Sequence, residues 1–148
     1  MKKTWIYYGV FFSDKTKQAI LEHAKHWIYK KFNNDIPDDW KIYCDHMTLV
    51  FNNGTSEDQE DADFYENWGL GRTESLIITD IGISNKAIAF KVKYTGRITN
   101  KTPHITVAVA PDAKPVNSND IKSWYNLGEY FYVSGKINKV VPSKNTKL

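Results

Sequence analysis

Short apolar segments alternate with polar ones along the chain, and their spacing predicts the first elements. Residues 5–12 are rich in aromatic and β-branched side chains and stop at Ser13, which predicts a buried strand. Apolar residues then recur at helical spacing at positions 20, 21, 24, 27 and 28. We therefore expect an amphipathic helix over about residues 14–31, with Ser13 capping its first amides.

The rest of the pattern is dominated by strands. Strand patterns cover about residues 41–51, 75–83, 87–94, 102–110 and 131–141, and the acidic stretch after Ser56 predicts a short helix. Residues 84–86 have the composition of a hairpin turn, and Gly135 predicts a bulge. Because strands outnumber helices and hairpins favour antiparallel pairing, the class is α+β. Residues 1–142 form one domain, and residues 143–148 are expected to be a flexible basic tail.

The charge of this chain of 148 residues is small overall but unevenly distributed. Net charge is +3, yet six acidic and no basic residues lie between positions 57 and 66, which leaves a lysine excess elsewhere. Such an excess suits a polyanionic ligand, although an ordinary soluble surface explains it equally well. The abundant Lys, Asn, Ile and Tyr are typical of an AT-rich genome such as that of a phage or a low-GC microbe.

Several classes of protein are excluded by composition. The single cysteine, Cys44, excludes a disulfide framework and a cysteine-only zinc site. No apolar run approaches the length of a membrane-spanning helix, and the N-terminus lacks the cleavage site of a signal peptide. We expect a cytoplasmic monomer with no membrane contact.

Two strands carry the same short motif. His46-Met47-Thr48-Leu49 and His104-Ile105-Thr106-Val107 both read histidine, apolar, threonine, apolar. Side chains alternate along a strand, so each strand presents an imidazole and a hydroxyl about 7 Å apart on one face.

That constellation suits the cleavage of phosphodiesters. One neutral imidazole can act as general base and a protonated one as general acid, while threonine hydroxyls donate hydrogen bonds to phosphate oxygens. No metal or cofactor is needed for this chemistry. A single histidine in a strand is usually structural, so the prediction depends on the pair, His46 with His104. The sequence leaves open which of the two is the base.

At these residues the chain resembles the two-histidine phosphoesterase superfamily, whose members carry twin H-x-[ST]-apolar motifs. The superfamily includes the LigT-like RNA phosphodiesterases, the cyclic phosphodiesterases of tRNA repair and the phage anti-CBASS nucleases. The similarity extends to the aromatic first strand, the first helix, the hairpin around Ile81 and Ala89, and the stretch 114–119. It implies a two-lobed fold with antiparallel sheets lining a central groove and helices packed outside.

The resemblance also implies a metal-independent phosphodiesterase whose catalytic residues are His46, Thr48, His104 and Thr106. The phage-like composition favours a cyclic oligonucleotide messenger as substrate, cleaved in the host cytoplasm to evade antiphage immunity. The alternatives are a 2′,3′-cyclic phosphodiesterase or a 2′,5′ RNA phosphodiesterase of RNA repair. A non-catalytic sponge for cyclic nucleotides is a third possibility.

Further residues are candidates for binding a short RNA-like substrate. The aromatic side chains expected at the groove edges could stack on bases; they are Tyr7, Phe11, Trp40 and Trp124. Ser118 and Asn119 could contact ribose or base, although capping a helix over residues 120–125 is an equally good interpretation.

The remaining polar candidates are weaker. Lys91 and Lys93 share a strand face and could steer a phosphate or protect a sheet edge. We expect Cys44 to share the face of His46, and Asp45 to lie on the opposite one. His23 and His26 fall outside the apolar stripe of the first helix, which predicts a solvated face and not a metal site.

Overall fold

A side-chain cap begins the first helix of the structure, a computed structural model that describes residues 4–143. Helix α1 (Asp14–Phe32) starts where Ser13 accepts a hydrogen bond from the amide of Thr16. It ends at Asn33, which has the left-handed backbone conformation common after helices. The helix predicted at 14–31 and its Ser13 cap are confirmed.

The acidic stretch also forms a helix, and a longer one than the pattern indicated. Helix α2 (Ser56–Trp68) begins at Thr55, which accepts from the amide of Asp58. Acidic side chains in its first turn lie at the positive end of the helix dipole and stabilise it. Neither α1 nor α2, within the part of the chain that the structure describes, combines the length and apolar character needed to cross a membrane.

The seven strands found within residues 4–143 join one antiparallel sheet. They are β1 (Tyr7–Phe11), β2 (Lys41–Ile42), β3 (His46–Phe51), β4 (Thr73–Ile83), β5 (Ala87–Lys93), β6 (His104–Val109) and β7 (Trp124–Val140). Their order is β2-β6-β3-β1-β7-β4-β5, and β5 pairs in addition with β6, so that the sheet closes into a barrel. The α+β class, the antiparallel pairing and the 84–86 turn are confirmed.

Two separate lobes are not confirmed. The long strand β7 pairs with β1 through residues 136–140 and with β4 along most of its length, so that it runs through both halves of the sheet. Strands β3 and β6 also pair directly, at Met47 and Ile105. The antiparallel sheets that were expected to form two lobes are therefore one continuous sheet. The tail expected at 143–148 lies, apart from its first residue, outside the described residues.

The strand predicted over 41–51 is broken in the middle. Cys44 has a left-handed backbone (φ 57°), which no strand can continue through, so β2 and β3 are separate. This break turns Cys44 into the core, where it is 1% exposed and its Sγ lies 3.7 Å from the carbonyl of Val107. The expectation that Cys44 lines the groove is wrong, and burial raises the pKa of its thiol to about 12.

The last strand begins earlier than the pattern indicated. β7 starts at Trp124, and a 3₁₀ helix, Pro115–Asp120, precedes it in place of the helix expected over 120–125. Gly135 is not a bulge, because it pairs in register with Glu74. The register shift lies instead between Ile78 and Asp80 of β4.

The two α-helices that the structure describes pack on one face of the sheet, and the 3₁₀ helix contacts the other face through Ser118 and Thr106. Tyr8 of β1 donates a hydrogen bond to Glu66 of α2, and the ring of Phe131 in β7 stacks on His23 of α1 at 3.9 Å. The side chains of His46 and His104 alternate with fully buried residues and lie on the other face. We name the latter the histidine face; both helices pack on the face behind it.

Gly135 offers a test of how closely β1 and β7 pack. A Cβ at this position would lie 2.6 Å from the backbone oxygen of Phe11, which cannot move without shifting β1. We expect Gly135→Ala to lower the free energy of unfolding by about 1–3 kcal/mol. Urea denaturation measures the change, with the neighbouring Ser134→Ala as a control that leaves stability near wild type. Equal stability of the two variants would contradict this packing.

Candidate active site

The pairing of β3 with β6 brings the two motifs together. Because Met47 lies opposite Ile105 in an antiparallel pair, His46 faces Thr106 and Thr48 faces His104. Side chains opposite each other in this way have Cβ atoms about 5 Å apart. All four are half-buried, while the residues between them are fully buried. Two imidazoles and two hydroxyls thus form one patch on the histidine face.

A carboxylate orients His46. Nδ1 of the ring donates to Oδ1 of Asp45 at 3.1 Å, and Nε2 lies 3.2 Å from the Thr48 hydroxyl. The hydrogen bond from His46 is the main reason why the pKa of Asp45 is lowered, so the carboxylate is ionised at neutral pH. The prediction that Asp45 lies away from His46 is wrong, because the left-handed backbone at Cys44 interrupts the alternation on which it relied.

Two aromatic rings pack against the His46 imidazole. The ring centroid of Tyr7 lies 5.1 Å from that of His46, and the centroid of Phe11 lies 5.4 Å from it. Gly9 lies between them on the same face, where a Cβ would come within 2.9 Å of the Met47 carbonyl. Burial, with a smaller effect of Asp45, raises the pKa of Tyr7 and keeps its hydroxyl protonated. Both aromatic residues are where the sequence predicted them, at the edge of the histidine pair.

His104 has a different environment. Its Nδ1 donates to the carbonyl oxygen of Thr102 at 2.8 Å, which leaves the lone pair on Nε2 in the neutral ring. The pKa of His104 is lowered, mainly by burial, and the charge of His46 lowers it further, while the bond to Thr102 opposes both. His104 is therefore a neutral imidazole with a free basic nitrogen at pH 7.

Ser118 supports the second threonine. Its hydroxyl lies 2.9 Å from the Thr106 hydroxyl, and the residue is 2% exposed on the 3₁₀ helix. Ser118 is therefore placed to orient Thr106, and its own access to a ligand is limited by burial. The sequence singled out Ser118 but assigned it to direct contact with substrate.

A cavity adjoins His104. Its volume is about 270 Å³, and it is lined by His104, the loop before it, and three residues singled out from the sequence: Ser118, Asn119 and Trp124. Trp124 donates through its indole N–H to the carbonyl of Ile121, and its ring packs where a Cβ at Gly82 would lie 2.6 Å away. The indole is thus held flat on β4.

Lys91 lies directly beside the histidine pair. It is opposite His104 in the pairing of β5 with β6, and its ammonium lies 4.9 Å from the centre of the Trp124 ring. This cation–π contact holds a positive charge over the Trp124 ring, on the strand next to His104. The sequence suggested Lys91 as a phosphate-steering residue, and the structure brings it to the site.

Trp40 is not part of the site. It lines an apolar cavity with residues at the C-terminal end of α1, among them Phe32 and Pro37, and it packs on the core. The polar residues around Trp40 in the sequence suggested exposure, but the ring is half-buried against the core. The structure does not bring Trp40 to the histidine pair, and its contact with substrate stays a prediction.

The acidic helix α2 is turned away from the histidine face. Glu66 accepts from Tyr8 and pairs with Lys139, and Asp61 pairs with Arg97. The excess of lysine elsewhere is therefore not offset by α2 at the site. Within residues 4–143, no three His, Cys, Asp or Glu side chains cluster as a metal site.

Comparison with known protein families finds one match that covers most of the chain. Residues 21–146 match the fungal tRNA ligase phosphodiesterase domain. This domain belongs to the two-histidine phosphoesterase superfamily, so the superfamily expected from the twin motifs is confirmed. A search of curated proteins found no match.

The proximity of the two imidazoles can be measured by titration. We expect NMR to show that His104 titrates below the ordinary value of about 6.5, with its neutral form protonated on Nδ1. His46→Ala should raise the pKa of His104, because the charge on His46 is one cause of its depression. His26→Ala, on α1, serves as control and leaves it unchanged. If His104 has the same pKa in His46→Ala as in the wild type and in the control, the pairing described above is contradicted.

Proposed function

The chain belongs to the fungal tRNA ligase phosphodiesterase domain family, and on that premise we propose that it hydrolyses 2′,3′-cyclic phosphates at RNA ends. It is an enzyme, a phosphodiesterase of the two-histidine class. The observation that carries the proposal is the contrast between its two imidazoles. His104 is hydrogen-bonded to a carbonyl and has a lowered pKa, whereas His46 is hydrogen-bonded to a carboxylate.

His104 is the general base in this proposal. Its neutral ring presents the lone pair of Nε2 while Nδ1 is engaged by Thr102. Nε2 takes a proton from water as the water oxygen attacks the cyclic phosphorus and forms the new P–O bond. A lowered pKa keeps the base deprotonated at neutral pH, so the active form of His104 is lost only when the pH falls below that pKa.

His46 is the general acid. Asp45 accepts from Nδ1 and stabilises the positive charge that the protonated ring carries. The proton on Nε2 passes to the ribose oxygen as its bond to phosphorus breaks, so that the ring opens to a phosphomonoester and a hydroxyl. Exchange with solvent then restores both imidazoles.

The two threonines bind the non-bridging phosphate oxygens. Thr48 and Thr106 are each opposite a histidine of the other strand, so their hydroxyls flank the same space. Hydrogen bonds to these oxygens strengthen as charge accumulates in the transition state. Ser118 holds the Thr106 hydroxyl in place for this purpose.

The nucleoside attached to the phosphate has two neighbouring surfaces available. Tyr7 and Phe11 lie beside His46, and the cavity with Asn119 and Trp124 lies beside His104. Aromatic rings and amide groups of this kind stack on bases and bind their edges. Both surfaces are within the reach of a nucleotide whose phosphate lies between the histidines.

The cyclic-oligonucleotide substrate has less support than the RNA-end substrate. The matched family is named for a tRNA ligase domain, and nothing in the site favours a cyclic messenger over a terminal ring. Membership of a phosphodiesterase family also disfavours the non-catalytic sponge.

The primary test replaces each histidine. We expect His46→Ala and His104→Ala each to lower kcat for a 2′,3′-cyclic mononucleotide by about 10²–10⁴-fold, because each removes one proton-transfer group. Turnover is followed by ³¹P NMR in buffer containing EDTA, and circular dichroism checks the fold. His26→Ala is the matched control with unchanged activity.

The same assay decides between substrates. Cyclic dinucleotides, cyclic trinucleotides and 2′,5′-linked oligomers are compared with 2′,3′-cyclic ends at equal enzyme concentration. Preferential cleavage of a cyclic oligonucleotide would overturn the proposed substrate, and undiminished turnover by either histidine variant would overturn the mechanism. Loss of wild-type activity in EDTA would indicate a metal enzyme.

Asp45→Asn tests the role of the carboxylate. The amide oxygen can still accept from Nδ1 of His46, but it carries no charge to stabilise the protonated acid. We expect kcat to fall by about tenfold, the smaller loss typical when the group that hydrogen-bonds the far nitrogen of a functional histidine is changed, with little change in KM. A variant that changes KM alone would mean that Asp45 acts in binding and not through His46.

A further inference from the structure

We propose that β7 and the neighbouring strands of the histidine face bind the single-stranded RNA that leads to the cyclic phosphate. This inference rests on the proposed function and adds the residues that bind the RNA chain outside the histidine pair, so that an RNA chain is a better substrate than a cyclic mononucleotide. Its basis is a row of side chains that starts at His46 and crosses the sheet.

The row follows from the strand register. Phe11 lies opposite His46 on β3 and opposite Lys136 on β7, and Lys136 in turn lies opposite Thr73 on β4. Directly paired residues point to the same face of a sheet, so Lys136 lies on the histidine face, two strand spacings or roughly 10 Å from His46. Asn138 is connected in the same way to Thr48 through Gly9.

An exposed aromatic side chain lies further along β7. Tyr132 is 70% exposed and is four residues from Lys136, roughly 13 Å along the strand on the same face. Lys93 and Tyr132 are both paired with Ile77 of β4, so a lysine lies on the same face two strand spacings, roughly 10 Å, from Tyr132. A large ring held open to solvent on a regular strand is a stacking surface for an unpaired base.

The lysines of this face suit a polyanion. Lys91, Lys93 and Lys136 lie on it, with the carboxylate of Asp80 opposite Lys91 and the carboxylate of Asp45 hydrogen-bonded to His46. The acidic residues of α2 lie behind the sheet, as the contact of Glu66 with Tyr8 shows. A strand of RNA on the histidine face therefore meets lysine and aromatic side chains, the combination that binds single strands.

Protection of a sheet edge does not explain these lysines. Lysine is common on edge strands, where it prevents pairing with other chains. Lys136 lies on β7 where β7 is paired with both β1 and β4, and Lys91 lies on β5 where β5 is paired with both β4 and β6. Neither position is at an edge, so a ligand is the better reason for their presence.

The experiment compares a pentaribonucleotide ending in a 2′,3′-cyclic phosphate with the cyclic mononucleotide. For the pentaribonucleotide, we expect Tyr132→Ala to lower kcat/KM by about tenfold, which is typical of one lost base-stacking contact. Lys136→Gln should reduce the slope of log kcat/KM against log salt by about 0.7, the value for one phosphate contact on a single strand. Neither variant should change turnover of the mononucleotide.

Matched controls come from the helical face. Tyr29 on α1 is 63% exposed and is followed by the exposed Lys30, so Tyr29→Ala and Lys30→Gln make the same changes of side chain away from the sheet. Both should behave as wild type with either substrate. Urea denaturation of all four variants checks that stability is unchanged.

A binding measurement separates this inference from the proposed activity. Fluorescence anisotropy of a pentaribonucleotide with a 3′-hydroxyl end needs no turnover, and Tyr132→Ala should weaken its binding by about the same factor. If the cyclic mononucleotide is not hydrolysed but this binding loss is seen, the proposed function fails and the RNA surface stands. If the mononucleotide is hydrolysed but Tyr132→Ala and Lys136→Gln match their helical controls, the RNA surface is overturned. Absence of detectable pentaribonucleotide binding by the wild type would also overturn it.

Discussion

The contact between β3 and β6 is the constraint on which the site depends. Met47 and Ile105 are both fully buried, and their pairing sets the register in which each histidine faces the threonine of the other strand. If β3 slipped by one residue relative to β6, the histidine and threonine of β3 would turn into the core and its apolar side chains into solvent, so burial of the core also fixes the polar patch. Together with the pairing of β5 with β6, this contact is part of the closure of the sheet into a barrel.

The chemistry proposed for the site comes from an asymmetry between two motifs that look alike. Asp45 precedes His46, and the left-handed turn at Cys44 directs its carboxylate to the imidazole. His104 follows a loop instead, and its ring takes the carbonyl of Thr102 as a partner and is more deeply enclosed. A carboxylate favours a charged ring, and burial with a neutral acceptor favours an uncharged one. An acid and a base are thereby formed from two copies of one side chain.

Much of this arrangement could be predicted from the sequence where the signal was local. The cap at Ser13, the hairpin at 84–86 and the alternation around His46 and His104 depend on neighbouring residues, and all are present in the structure. Predictions that required long-range packing were less successful. Trp40 packs against the core and not beside the histidines, and Asp45 reaches His46 through a backbone turn that no residue type in the sequence indicates. Strand β7 extends to Trp124 because β4 pairs with it there, beyond the bulge near Thr79.

The sequence by itself determined the residue types of the site, the alternation that places each histidine and threonine on one face, and the class of fold. These properties follow from side-chain chemistry and from the two-residue period of a strand. Only the tertiary structure decided that the two motifs meet, which histidine is buried, and that the acids of α2 lie behind the sheet. Those properties depend on contacts between residues that are distant along the chain, such as Met47 with Ile105 and Glu66 with Tyr8. Local sequence patterns do not specify such contacts, because many arrangements of the same strands are compatible with the same patterns.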